Sequence, residues 1–203
     1  MKTKEFIEKN VKWLALFICL VLIIGIVEDV LNKEINTLDV VGYNIVSDYL
    51  ISDNLTPIVK TITQFGGVAI LVSLAIILLI VVRDKKIGCL IWGNLGIATL
   101  LNQILKYVVQ RPRPMEYRII DESGYSFPSG HSMVSAAFYG FLIYLIYKNV
   151  KNKYVKWLSI LGLSMLVILI GVSRIYLGVH YTSDVIAGFL IAISYLIIFT
   201  SAI

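Results

Sequence analysis

Six stretches of this chain are too apolar and too long to be buried inside one small water-soluble domain. They run from about Val11 to Val27, Ile58 to Val82, Ile87 to Val109, Ser132 to Tyr147, Trp157 to Val172 and Val185 to Ile203. Each holds about 16 to 25 residues, enough to cross a hydrocarbon core of roughly 30 Å as a helix. An unpaired backbone amide in lipid costs several kcal/mol, and a helix pairs its own amides. The runs therefore predict an all-α, polytopic membrane protein with about six transmembrane helices. Composition agrees, at 58% hydrophobic residues and a mean hydropathy of +0.85. No linker, repeat or low-complexity tract divides residues 1–203, which read as a single domain.

Charge placement orients these spans. Lys2, Lys4, Lys9 and Lys12 precede the first, Arg83, Lys85 and Lys86 follow the second, and Lys148, Lys151, Lys153 and Lys156 follow the fourth. The first connection is acidic instead, with Glu28, Asp29, Glu34, Asp39, Asp48 and Asp53. Cytoplasmic loops collect lysine and arginine, so both termini are expected in the cytoplasm and connections one, three and five outside. The net charge of +5 follows from this topology signal and implies no nucleic-acid partner. Residues 1–12 are expected to form a short interfacial helix with Phe6 and Ile7 toward lipid. The first apolar run lacks a small-x-small cleavage site and is read as a retained helix. Cys19 and Cys89 lie within spans, where side-chain packing is expected rather than a disulfide or metal site.

The third connection is the exception, outward by this topology yet carrying Arg111, Arg113 and Arg118. It belongs to a larger pattern of three polar segments at the ends of apolar runs. These are Lys106-x6-Arg113-Pro114, Pro128-Ser129-Gly130-His131 and Ser173-Arg174-x5-His180-x3-Asp184. The topology places all three on the outer side, although it was fixed by lysines elsewhere. Singly, each residue has a plain explanation. Lys106 and Arg174 read as snorkelling anchors, Ser129 as a helix cap and Asp184 as a complement to a helix dipole. Those explanations do not account for all of them together, with both histidines of the chain included.

The set suits phosphoryl transfer. Phosphate oxygens repel a nucleophile, and fixed cations and amides aimed at them supply most of the catalysis. Lys106, Arg113 and Arg174 are such cations, the arginines offering planar forks that match phosphate. The amides of Ser129, Gly130 and His131 at a helix start add donors, with glycine permitting close approach. Of the two imidazoles, His180 has the stronger case as nucleophile, because Asp184 four residues on can fix its tautomer. His131 then serves as general acid, and afterwards as base for the hydrolytic water. Asn102 and Gln103, about one turn before Lys106, either orient that lysine or make helix–helix hydrogen bonds.

In order and spacing these segments resemble the signature of the type 2 phosphatidic acid phosphatase superfamily. About 13 residues separate the first segment from the second and about 41 the second from the third. The resemblance implies a six-helix membrane enzyme without cofactor or metal. It implies the roles already assigned to His180, Asp184 and His131, and phosphate binding by Lys106, Arg113, Ser129, Gly130 and Arg174. Expected substrates are lipid phosphates or diphosphates: undecaprenyl diphosphate, phosphatidylglycerol phosphate or phosphatidic acid. Arg111 falls outside the pattern and is read either as a headgroup attractor or as an interfacial anchor. Thr182 stands where many relatives have proline, which is expected to loosen the turn at His180. The alternatives are a lipid phosphotransferase with another acceptor and, more remotely, a transporter, whose ionisable groups would sit in mid-membrane. Besides bilayer and substrate no partner is implied, and no residue pattern sets an oligomeric state.

Overall fold

The computed structural model describes residues 2–32 and 37–203, with side chains from residue 10 onward. Within them the chain forms eight helices. These are α1 (Lys2–Leu31), α2 (Thr37–Tyr49), α3 (Thr56–Gln64), α4 (Val68–Val81), α5 (Lys85–Val109), α6 (Gly130–Asn149), α7 (Lys153–Tyr176) and α8 (Thr182–Ala202). Five have the length and apolarity of a membrane span: α5 to α8 and, within α1, Asn10–Leu31.

The expected second span differs. Instead of one rod it is α3 and α4, bent by 46° at a short break. Gly66 and Gly67 cause it, because glycine disfavours helix and permits close packing. A Cβ on Gly66 would lie 2.6 Å from Ile170 and 3.3 Å from His131, so the break nestles against α6 and α7. Tyr139 donates a hydrogen bond to the freed Phe65 carbonyl at 2.8 Å. The N-terminal expectation differs too: α1 is continuous from Lys2, and the facing of Phe6 and Ile7 lies outside the described side chains.

The core is built by α5, α6 and α8, which meet through Ala98, Met133, Ala136, Ala137, Ala187 and Ala192. Small residues let helices approach closely where lipid gives no hydrophobic drive. Gly188 shows how closely, since a Cβ there would sit 3.2 Å from the Ser129 carbonyl and the Met133 amide. That contact fixes the start of α6 against the first turns of α8. Asn102 Nδ2 bonds the Pro128 carbonyl at 3.3 Å and Met133 Sδ at 3.5 Å, so it joins helices rather than orienting Lys106.

Helix α2 lies in what the sequence showed only as an acidic connection. Val46 packs with Ile175, Leu177, Val179 and Val185 at the α7–α8 corner. Tyr176 pins the following connection, its hydroxyl donating to the Ser52 carbonyl at 3.0 Å. The corner needs Gly178, at φ +67°, where a side chain would also collide with the Tyr117 backbone.

Candidate active site

All three polar segments meet at one end of the bundle. Lys106 comes from the last turn of α5, and Arg113 from the 110–129 connection. Ser129, Gly130 and His131 open α6, Arg174 closes α7, His180 sits in the corner, and Asp184 is in the first turn of α8. Of these, Lys106, Arg113, Gly130, His131 and His180, joined by Glu122, line the polar end of a groove of about 680 Å³, and Ser129, Arg174 and Asp184 lie behind it. Leu71, Val72, Trp92, Leu95 and Val134 continue it as an apolar channel between α4, α5 and α6.

His180 is 3% exposed and tightly oriented. Its Nε2 lies 3.0 Å from Arg113 Nη1, and its Nδ1 is 3.4 Å from Asp184 Oδ2. A guanidinium can only donate, so Nε2 is the bare nitrogen and Nδ1 carries the proton toward Asp184. Burial lowers the imidazole pKa to about 4, although Asp184 opposes that shift by hydrogen bond and charge. The ring is therefore neutral at pH 7, with its lone pair turned toward Arg113.

Asp184 has four donors. Arg111 Nη1 reaches Oδ1 at 2.7 Å, and the Tyr181 amide reaches Oδ2 at 2.9 Å. Ser126 Oγ also donates to Oδ2, beside His180 Nδ1. The Tyr181 bond closes the turn, so Thr182 leaves the corner firmly held. The same carboxylate that faces His180 also caps α8.

The cations differ in what holds them. Arg113 donates to the carbonyls of Ser123, Gly124 and Val179, each at 3.0 Å, and so ties the connection to the corner. Arg174 is 1% exposed and bonds Thr63 at 2.8 Å and Glu122 at 2.5 Å. Its Nε is buried and without a hydrogen-bond partner among the described residues. Lys106 Nζ donates to the Tyr125 carbonyl at 2.5 Å. Burial opposes ionisation of Glu122, yet Arg174 holds its carboxyl below the ordinary glutamate pKa. Glu122 is thus an anion held between Arg174, at 2.5 Å, and Arg113, at 3.8 Å.

Sequence expectations change at Ser129 and at Arg111. The Ser129 amide is occupied by the Asp184 carbonyl at 3.1 Å, and its hydroxyl caps α6 by accepting from Ser132. That leaves the amides of Gly130 and His131 as the donors at the helix start. A Cβ on Gly130 would lie 3.1 Å from Asn102 Oδ1 and 3.8 Å from Lys106 Cε, so glycine brings α6 against α5. Arg111 is neither headgroup attractor nor anchor. It is 9% exposed and bridges Asp39 and Asp184, each at 2.7 Å, with Tyr181 stacked over its guanidinium at 4.0 Å. The sequence also gave no role to Asp39, Ser126 or Glu122. The doubled Arg-Pro was the one signal, since a second arginine beside a functional one invites a search for its carboxylate. Among the described residues, no group of three or more His, Cys, Asp or Glu side chains is placed to hold a metal ion.

Comparison with known proteins establishes the family. The profile of the PAP2 superfamily matches residues 87–203, which hold every residue of the three segments. Phosphatidylglycerophosphatase B of Bacillus subtilis (strain 168) is 35% identical over 140 residues, covering 66% of this chain and 68% of that protein. Undecaprenyl-diphosphatase of Sulfolobus acidocaldarius is 29% identical over 194 residues, covering 91% and 87% respectively. The crystal structure of a transmembrane PAP2-type phosphatidylglycerolphosphate phosphatase from Bacillus subtilis superposes with a TM-score of 0.78 at 26% identity, over 94% of each chain. With profile, relatives and architecture in agreement, the chain belongs to the PAP2 superfamily and is a multi-pass membrane phosphatase of that family.

Proposed function

We propose that this protein hydrolyses a lipid phosphate or diphosphate through a phosphohistidine intermediate, at the outer face of a cell membrane. The carrying observation is the orientation of His180: a neutral, buried imidazole whose bare Nε2 faces Arg113 while Asp184 holds Nδ1–H. The outward orientation rests on the lysine-rich connections at the opposite end of the bundle.

In this reading the phosphate displaces Glu122 from Arg174 and takes the donors of Arg113, Arg174, Lys106 and the Gly130 and His131 amides. The His180 Nε2 lone pair attacks phosphorus as the ester or anhydride P–O bond breaks. Its electrons leave with the oxygen, which His131 protonates. His131 then removes a proton from water, the water oxygen attacks phosphorus, and the P–N bond electrons return to Nε2. Asp184 stabilises the imidazolium character between these steps without accepting a proton. Three fixed cations already supply the charge needed, so we expect activity without added metal.

The apolar channel between α4, α5 and α6 suits the substrate tail, which extends from the headgroup into the lipid-facing wall. Similarity to a phosphatidylglycerophosphatase and an undecaprenyl-diphosphatase supports phosphatidylglycerol phosphate and undecaprenyl diphosphate as first substrates to offer. The experiment is phosphate release by purified protein in excess EDTA, with each of these and phosphatidic acid supplied separately and His180→Ala as blank. Preference for the diphosphate assigns carrier-lipid recycling; preference for a monoester assigns phospholipid metabolism. Release from none, or equal release by His180→Ala, overturns the proposal.

A further inference from the structure

The phosphatase signature ends at Asp184, but the network around that carboxylate does not. Arg111 Nη1 bonds Asp184 Oδ1 at 2.7 Å and the Ser183 hydroxyl at 2.8 Å, and Arg111 Nη2 bonds Asp39 Oδ2 at 2.7 Å. Asp39 Oδ1 in turn accepts the Ser183 amide at 2.8 Å, which closes a ring between α2, the 110–129 connection and α8. Asp39 is 4% exposed, Arg111 9% and Asp184 0%, so the ring is largely shielded from water. Tyr181 stacks over the guanidinium at 4.0 Å, which restricts how Arg111 can turn.

We propose that Arg111, anchored by Asp39 of α2, is a positioning residue that fixes the Asp184 carboxylate toward His180. The reason is rotational. A carboxylate turns about its Cβ–Cγ bond, and only one setting directs Oδ2 to the Nδ1 of His180. The Tyr181 amide and Ser126 hydroxyl define the Oδ2 side, and Arg111 alone defines Oδ1. A guanidinium bridges two carboxylates at fixed angles, as the single ammonium of lysine does not. Helix α2 is therefore part of the site's construction, although Asp39 lies well before the 87–203 region that the family profile matches.

The inference rests on His180 and Asp184 acting as nucleophile and partner, and a double-mutant cycle separates the two readings. Arg111→Lys and Asp39→Asn keep charge or acceptor capacity and are the variants least disruptive to folding; monodisperse elution in detergent checks this. Each is expected to lower kcat roughly 10- to 100-fold, as small misplacements do, while KM stays within about threefold. In an Asp184→Asn background neither substitution lowers kcat further, because the group they position no longer acts. Losses that multiply with Asp184→Asn, or that fall on KM alone, overturn the positioning role. Unchanged kcat in Asp184→Asn by itself overturns the aspartate's assignment instead.

Discussion

The two ends of the helix bundle are both rich in cations, and they use them in opposite ways. At the end without the site, Lys85, Lys86, Lys148, Lys151 and Lys153 are exposed. Lys85 reaches the carbonyls of Leu79, Ile80 and Val82 at the end of α4, and Lys148 and Lys156 lie over Tyr144 and Tyr147. Among the described residues, Lys85, Lys148 and Lys156 thus have only local backbone or aromatic partners. At the site end, Arg111, Arg113 and Arg174 are each no more than 9% exposed and bind carboxylates or carbonyls from distant parts of the chain. Arg83 is exposed at the first end and Lys106 half-buried at the second, so burial and fixed partners, not residue type, separate the two ends. Breaking a buried pair costs about 3–5 kcal/mol, and an exposed pair about 0–1 kcal/mol.

That contrast predicts graded effects. His180→Ala removes the nucleophile and is expected to abolish turnover, with His131→Ala close behind, both read as phosphate release by correctly folded protein. Asp184→Asn should still fold yet lose up to about 10⁴-fold in kcat, the scale seen when a histidine loses its orienting carboxylate. Arg174→Ala is expected to cost roughly 10²–10³-fold in kcat/KM, typical of one lost donor to a developing anion. Its thermal stability reports the broken pair with Glu122 separately.

The pH dependence is a finer test. The nucleophilic form of His180 is neutral, so it predominates above its pKa of about 4 and is lost as the pH falls through it. The acid limb of kcat/KM, corrected for substrate ionisation, is therefore expected near 4 rather than at the ordinary histidine value of 6.5. A limb at 6.5 would mean an imidazole open to water. At the other end of the molecule, Lys148→Gln or Lys85→Gln should leave kcat and KM unchanged. A substantial catalytic loss there would erase the distinction between the two ends.

Much of this was legible in the sequence, for identifiable reasons. Five spans and the three motif segments are local features, visible as run length or as fixed spacing such as His180-x3-Asp184. The bend at Gly66–Gly67 was hidden because two glycines in a long apolar run look like ordinary membrane-helix residues until Ile170 and His131 press against them. Helix α2 was hidden by its acids, which read as an outward loop. Asp39 was the hardest to foresee, since its partners Arg111 and Ser183 lie 72 and 144 residues away and no spacing relates them. Arg111 was visible but read at the surface, because nothing local disclosed the two carboxylates that bury it. Ser129 shows the reverse case, a motif residue whose helix-capping role is the one its geometry displays.

The most direct test of the central claim is to trap the intermediate. Wild-type protein mixed with excess lipid phosphate, quenched in base within one turnover and digested, is examined by mass spectrometry for phosphohistidine. The account predicts one phosphoryl group on the peptide containing His180, formed and lost at rates compatible with turnover and absent from His180→Ala. A phosphoryl group on His131 would reverse the roles of the two histidines. Its absence from both, in an active enzyme whose slow step follows cleavage of the lipid, would contradict covalent catalysis at this site.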